Sequence, residues 1–174
     1  MLYRISAFWA RVELGAAACL ALVVTVLILL NVITRTAGNA LFWVDELAIY
    51  AMIWMTFLGA SAALHHRNAI SITILADAVP EQVKIAMTKC VDVIVFGFAL
   101  AMLWFCWRWF LPIDILRAGF DTVAFQGQTF NFIYAEPTLT LGLSKYLFWL
   151  VMWLFALGAT LHSATHLFGK RPRS

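Results

Sequence analysis

The sequence predicts an all-α integral membrane protein of four transmembrane helices, with a short interfacial helix between the second and third. Three observations predict it. The 174 residues are 64% hydrophobic and only 12% charged, too little charge to cover the surface of a soluble domain of this size. The apolar residues gather into long, nearly uncharged runs, each of roughly the 20 residues a helix needs to cross a hydrocarbon core. Those runs do not alternate and are about twice the length of a barrel strand. The net charge of +3 is dispersed, with no basic face, which excludes nucleic-acid binding.

The first run covers 14–34 and follows Arg4 and Arg11. It is too long for the core of a cleavable signal and reads as a span. Ala16-Ala17-Ala18-Cys19 lies before most of the run, so it does not read as a lipoprotein cleavage site. The second run, 43–64, opens on Trp43-Val44-Asp45-Glu46. The third, 87–109, carries Lys89 and Asp92 near its start, spaced as an i,i+3 pair. The fourth covers 141–161, with an apolar extension to Leu167 that the helix can include. We treat the chain as one membrane domain built from these spans.

Between spans 2 and 3, Ile70, Ile74, Leu75 and Ala78 share one helical face, with Ser71, Thr73 and Asp77 elsewhere. This predicts the interfacial helix; the competing strand would leave backbone groups unpaired beside lipid. Pro80 then ends it or opens the next helix. The 3–4 connection, 111–140, mixes Pro112, Gly119, Gly127 and Pro137 with Phe120, Phe125, Phe130, Phe132 and Tyr134. Disordered loops are poor in aromatics, so this one is expected to lie against the membrane surface or a partner. Arg4, Arg11, Arg67, Lys84, Lys89, Lys170, Arg171 and Arg173 fall on one side of the membrane, Arg35, Arg108, Arg117 and Lys145 on the other. The positive-inside rule then places both termini in the cytoplasm. Trp9, Trp43, Trp107, Trp109 and Trp149 fit interfacial belts, and Gly59/Ala63 and Gly97/Ala101 have small-xxx-small spacing.

Asp45 and Glu46 begin the second helix, where the helix dipole favours negative charge. Arg35 stands across a short link from them. A cap with an interfacial ion pair, and a charged contact to another subunit, both fit. A catalytic pair does not, because no nucleophile or metal-ligand set accompanies the carboxylates, and no enzyme activity is expected. His65, His66, His162 and His166 all fall near the inner face and are expected to be solvated there; the alternative, haem or metal on these histidines, would make the chain the membrane anchor of a redox complex. Cys19, Cys90 and Cys106 lack metal spacing and read as small buried hydrophobes. No phosphate loop, nucleotide fingerprint or broken half-helix pair appears, so no cofactor and no substrate site are expected. Four such helices with nothing polar at their centres describe a scaffold; a self-sufficient small channel or carrier is the remaining rival.

Arg35, Trp43-Val44-Asp45-Glu46, Tyr50, Trp54 and Phe57-Leu58-Gly59-Ala60 resemble the pattern of the small membrane subunit, DctQ-like, of tripartite ATP-independent periplasmic (TRAP) transporters. The similarity extends to overall length and the number of spans. Ala69 and Thr73 stand where that family often carries a histidine and an aspartate. The resemblance implies a bacterial inner-membrane, multi-pass subunit with two protein partners, a large multi-span permease and a periplasmic substrate-binding protein, in addition to membrane lipid. It implies import of organic acids by symport, typically with sodium, and a stator role for this chain, which itself holds no substrate. Arg35, Trp43, Asp45, Glu46, Tyr50, Trp54 and Gly59 are then the candidates for the partner interface.

Overall fold

A computed structural model describes residues 2–66 and 79–169, and the fold is all-helical with four helices long and apolar enough to cross a membrane. In chain order the helices are α1 (Leu2–Thr36), α2 (Phe42–His66), α3 (Glu81–Phe110), α4 (Pro112–Arg117), α5 (Thr122–Thr129), α6 (Tyr146–Trp149) and α7 (Val151–Phe168). Among the described residues no strand forms, and the pairing of Pro137 with Ser144 is an isolated bridge. The expected interfacial helix, with Ala69 and Thr73, lies outside the described residues.

α1 begins twelve residues before the apolar run (Leu2 against 14), so Arg4, Arg11 and Glu13 are helical too. It ends where Gly38 takes a left-handed turn (φ +74°), a conformation glycine adopts without a Cβ penalty. The link to α2 is therefore short, and the two helices form an antiparallel pair. α2 packs in turn on α7, and α7 on α1 and α3. α7 is the most enclosed of the spanning helices, while α1 and α3 turn most of their side chains outward. Phe8, Leu22, Val26 and Ile33 on α1, and Ile94, Phe98, Trp104 and Phe105 on α3, are all exposed. In lipid such a surface is solvated by acyl chains and needs no protein cover.

The fourth span differs from its expected bounds. Residues 141–145 turn instead of spiralling: Gly142 is left-handed (φ +68°), and the Thr138 N–H and hydroxyl both donate to the Leu143 carbonyl. The helix then runs to Phe168. The 3–4 connection also has its own order. Asp121 caps α5 by accepting the N–H groups of Val123 and Ala124 at 2.9 and 3.2 Å. Phe125 is fully buried against Phe110, Ile115 and Ile133, with Tyr134, Tyr146, Trp149 and Trp153 around them. The inner side of this connection thus folds on the chain's own α3, α6 and α7. Its other side leaves Phe120, Phe130 and Leu139 largely exposed.

Candidate functional site

Two polar clusters stand out, one at each end of the bundle. The first is built from the Trp43–Glu46 motif. The Asp45 carboxylate bonds both to the Asn31 side-chain amide and to the Arg35 guanidinium, and Arg35 Nε donates to Asn31 Oδ1 at 2.9 Å. Asn31 and Arg35 are one turn apart on α1, so this triad staples the last turn of α1 to the first turn of α2. Arg35 and Asp45 are partly exposed, so the pair contributes register more than energy.

Glu46 faces the other way. Its Oε1 accepts the Leu139 N–H at 2.8 Å, and its Oε2 accepts the Thr140 N–H and hydroxyl, each at 2.6 Å. The Leu141 N–H adds a longer bond at 3.3 Å. One turn further on, Tyr50 stacks on Phe148 with ring centres 3.9 Å apart, and the Trp54 indole N–H donates to the Phe148 carbonyl at 2.8 Å. Glu46, Tyr50 and Trp54 therefore lie along one stripe of α2 and bind residues 139–148, some ninety positions away (|i−j| of 93 and 94). Trp43 and Gly59 do not join this stripe: Trp43 is exposed, and a Cβ built on Gly59 would meet nothing within 4 Å. The Lys145 ammonium, 2.6 Å from Glu136, is held above the ordinary lysine range by that bond.

The second cluster was not anticipated in the sequence. Glu13 (α1), Ser61 and His65 (α2) and His162 (α7) are buried together with Ser6 (α1) at the end of the bundle that carries both termini. Ser61 donates to Glu13 Oε1 at 2.7 Å. His162 Nε2 lies 3.0 Å from Glu13 Oε2, and the same ring's Nδ1 lies 2.7 Å from Ser6 Oγ. Ser6 Oγ is also 2.7 Å from His65 Nδ1. The expectation of solvated histidines fails for His65 and His162, and so does that of a bundle with no polar interior. His66 is exposed, and His166, half-buried, donates from Nε2 to the Leu64 carbonyl at 3.0 Å.

Local sequence makes room for this cluster. Ser6, Ala10, Glu13 and Ala17 recur every three or four residues and form the buried stripe of α1. All but Glu13 are small, so α2 and α7 come close. Gly158 completes the fit: a Cβ there would fall on Glu13 Oε1 and Ser61 Oγ. Among the described residues, no group of three or more histidine, cysteine, aspartate and glutamate side chains is arranged to hold a metal ion.

Four spanning helices, an intramolecular polar staple at one end and an outward apolar surface define a small polytopic membrane protein. Residues 24–173 match the family described as DctQ, the DctQ component of tripartite ATP-independent periplasmic transporters. The chain belongs to that family, and its class is the small subunit of a TRAP transporter. No curated protein and no solved structure matches the chain.

Proposed function

We propose that the chain is the stator of an ion-coupled TRAP transporter in the bacterial inner membrane. It braces a larger multi-span permease that carries organic acids delivered by a periplasmic binding protein, with sodium as the coupling ion. The observation that carries this reading is the distribution of polar groups. Both clusters join the chain's own helices to one another, while α1 and α3 present broad apolar flanks. A part with a fixed shape and a wide membrane-facing surface resists tilting and sliding, which a moving carrier requires of its support. Of the candidates for the partner interface, Asp45, Glu46, Tyr50 and Trp54 are engaged within the chain, and the partner-facing surface is proposed to centre on Trp43, Gly59 and the exposed flank of Arg35.

The test is reconstitution of the candidate large subunit in liposomes with and without this chain, with the binding protein and a sodium gradient supplied. Uptake that needs both membrane chains supports the stator. Uptake by this chain alone rejects it. The redox-anchor alternative is disfavoured by geometry: both ring nitrogens of His162, and Nδ1 of His65, are already engaged by protein groups. A Soret band in the purified protein would reverse that conclusion.

A further inference from the structure

We propose that the buried His162–Glu13 pair is a proton-binding site, filled from the terminus-bearing end of the bundle through His65 and the Ser6 hydroxyl. The inference stands on the geometry of the cluster and is independent of the stator reading.

Ser6 has one proton to donate and meets a ring nitrogen on each side, both at 2.7 Å. One histidine must therefore carry its proton on Nδ1 and the other must present a bare Nδ1. With Glu13 ionised and both rings neutral, one pattern satisfies every group. His162 donates from Nε2 to Glu13, Ser6 donates to His162 Nδ1, and His65 donates from Nδ1 to Ser6. The donors then all point the same way, from His65 towards the carboxylate.

Such a chain moves a proton by shifting each link once. A proton from water binds His65 Nε2. His65 releases its Nδ1 proton to Ser6 Oγ, and Ser6 passes its own proton to His162 Nδ1. The added proton ends on the His162–Glu13 pair, whose net charge rises from −1 to zero (carboxylate plus one proton). His65 is left neutral, with its proton on Nε2 and a bare Nδ1 accepting from the reversed Ser6 hydroxyl. No group outside the chain is consumed except the proton itself. Ser6 has no exposed surface, so the Glu–His–Ser order serves transfer and not attack on a substrate.

The relay has an outlet. His65 lines a cleft of about 1100 Å³ between the ends of α1, α2, α3 and α7. Among the described residues, the other titratable groups around His65 and its cleft are Tyr3 on α1, His66 on α2, His166 on α7, and Glu81, Lys84, Lys89 and Asp92 on α3. They line the cleft together with His65, and Ser6, Glu13 and His162 are not among its lining residues. Among the described residues Glu13 hydrogen-bonds Ser61 and His162, and His162 connects through Ser6 to His65.

The experiment is nitrogen NMR of the full chain in lipid nanodiscs, with labelled histidines read for tautomer between about pH 8 and about pH 5, a range that brackets ordinary histidine titration. At the alkaline end, His65 is expected as the Nδ1–H tautomer and His162 as Nε2–H. On acidification, His65 should switch to neutral Nε2–H in the same step in which His162 gains its Nδ1 proton. Ser6→Thr, which keeps the hydroxyl, should preserve the linked step; Ser6→Ala should split it into two independent titrations. A wild-type His65 that holds Nε2–H throughout, or a His162 whose protonation never changes, overturns the proposal without recourse to any variant. A linked step that survives in Ser6→Ala overturns it as well.

Discussion

The Glu46 carboxylate at the head of α2 accepts both the backbone N–H and the hydroxyl of Thr140, each at 2.6 Å, and so closes a loop of ninety-odd residues (|i−j| of 94) with one side chain. In effect it caps the turn that precedes α6. Glu46→Ala removes the acceptor for three consecutive amides. Hydrogen exchange at Leu139, Thr140 and Leu141 should rise sharply, with the middle of α2 unchanged. Glu46→Gln should give a smaller rise, since one oxygen remains. Unchanged exchange at those amides in Glu46→Ala would refute the capping role.

At the other end, Glu13→Ala leaves His162 and Ser61 buried without their acceptor. The expected cost is about 3–5 kcal/mol, as for other buried pairs deprived of one partner. Glu13→Gln keeps an acceptor oxygen and should cost about 1–3 kcal/mol. Thermal unfolding in one detergent should rank the proteins wild type, Gln, Ala.

Glycine substitutions separate enclosed from open helix faces. Gly158→Ala pushes a methyl group into Glu13 and Ser61 and should cost about 1–3 kcal/mol. A Cβ on Gly97 meets nothing within 4 Å, so Gly97→Ala should be neutral or gain up to about 1 kcal/mol from reduced backbone freedom. Equal effects of the two changes would contradict the packing described above.

Gly59 tests the proposed partner surface. Gly59→Leu should leave the isolated chain's melting temperature near wild type, because the site opens outward. If the permease lies there, the same change should lower the yield of the two-chain complex. Full recovery of complex with Gly59→Leu would remove Gly59 from the interface.

The 3–4 connection should be sensitive to alkali. Burial holds the Tyr134 phenol above the ordinary tyrosine value, and its hydroxyl donates to the Phe110 carbonyl at 2.6 Å. Lys145 is raised through its bond to Glu136. A group whose folded value is raised contributes stability below its unfolded value and loses it as pH climbs through the folded one. The connection should therefore loosen above about pH 10, where free tyrosine and lysine titrate. Tyr134→Phe combined with Glu136→Gln should flatten that alkaline limb, as followed by near-UV circular dichroism.

Much of this architecture is legible in the sequence because lipid simplifies the code. A run of roughly 20 apolar residues has few alternatives to a helix. The Arg35–Asp45 pair is likewise foreseeable, since a short link brings the two ends together. The start of the fourth span is not, because Leu141 and Leu143 are as apolar as any span residue, and their segment turns through left-handed Gly142, the Thr138–Leu143 bonds and the distant Glu46. The buried cluster escapes for a related reason. Glu13 sits at the edge of the first apolar run and passes for an interfacial charge, and its partner is 149 positions away. The available signal is the stripe of Ser6, Ala10, Glu13 and Ala17 on one helical face, where a carboxylate among small residues marks close approach of another helix. Histidine position alone is a poorer guide: His65 and His66 are adjacent, yet one is buried and the other faces outward.

The cluster also dictates an order of assembly. Ribosomes deliver α1 first, and the imidazole that answers its carboxylate is more than a hundred residues behind (|i−j| of 149). During that interval α1 and α2 already share the Asp45 triad and the Ser6–His65 and Glu13–Ser61 bonds, and α7 arrives as the keystone. Chains cut short of residue 162 would display an unneutralised acid on an oily rod, the kind of blemish by which membrane quality-control proteases could recognise an orphaned or unfinished subunit.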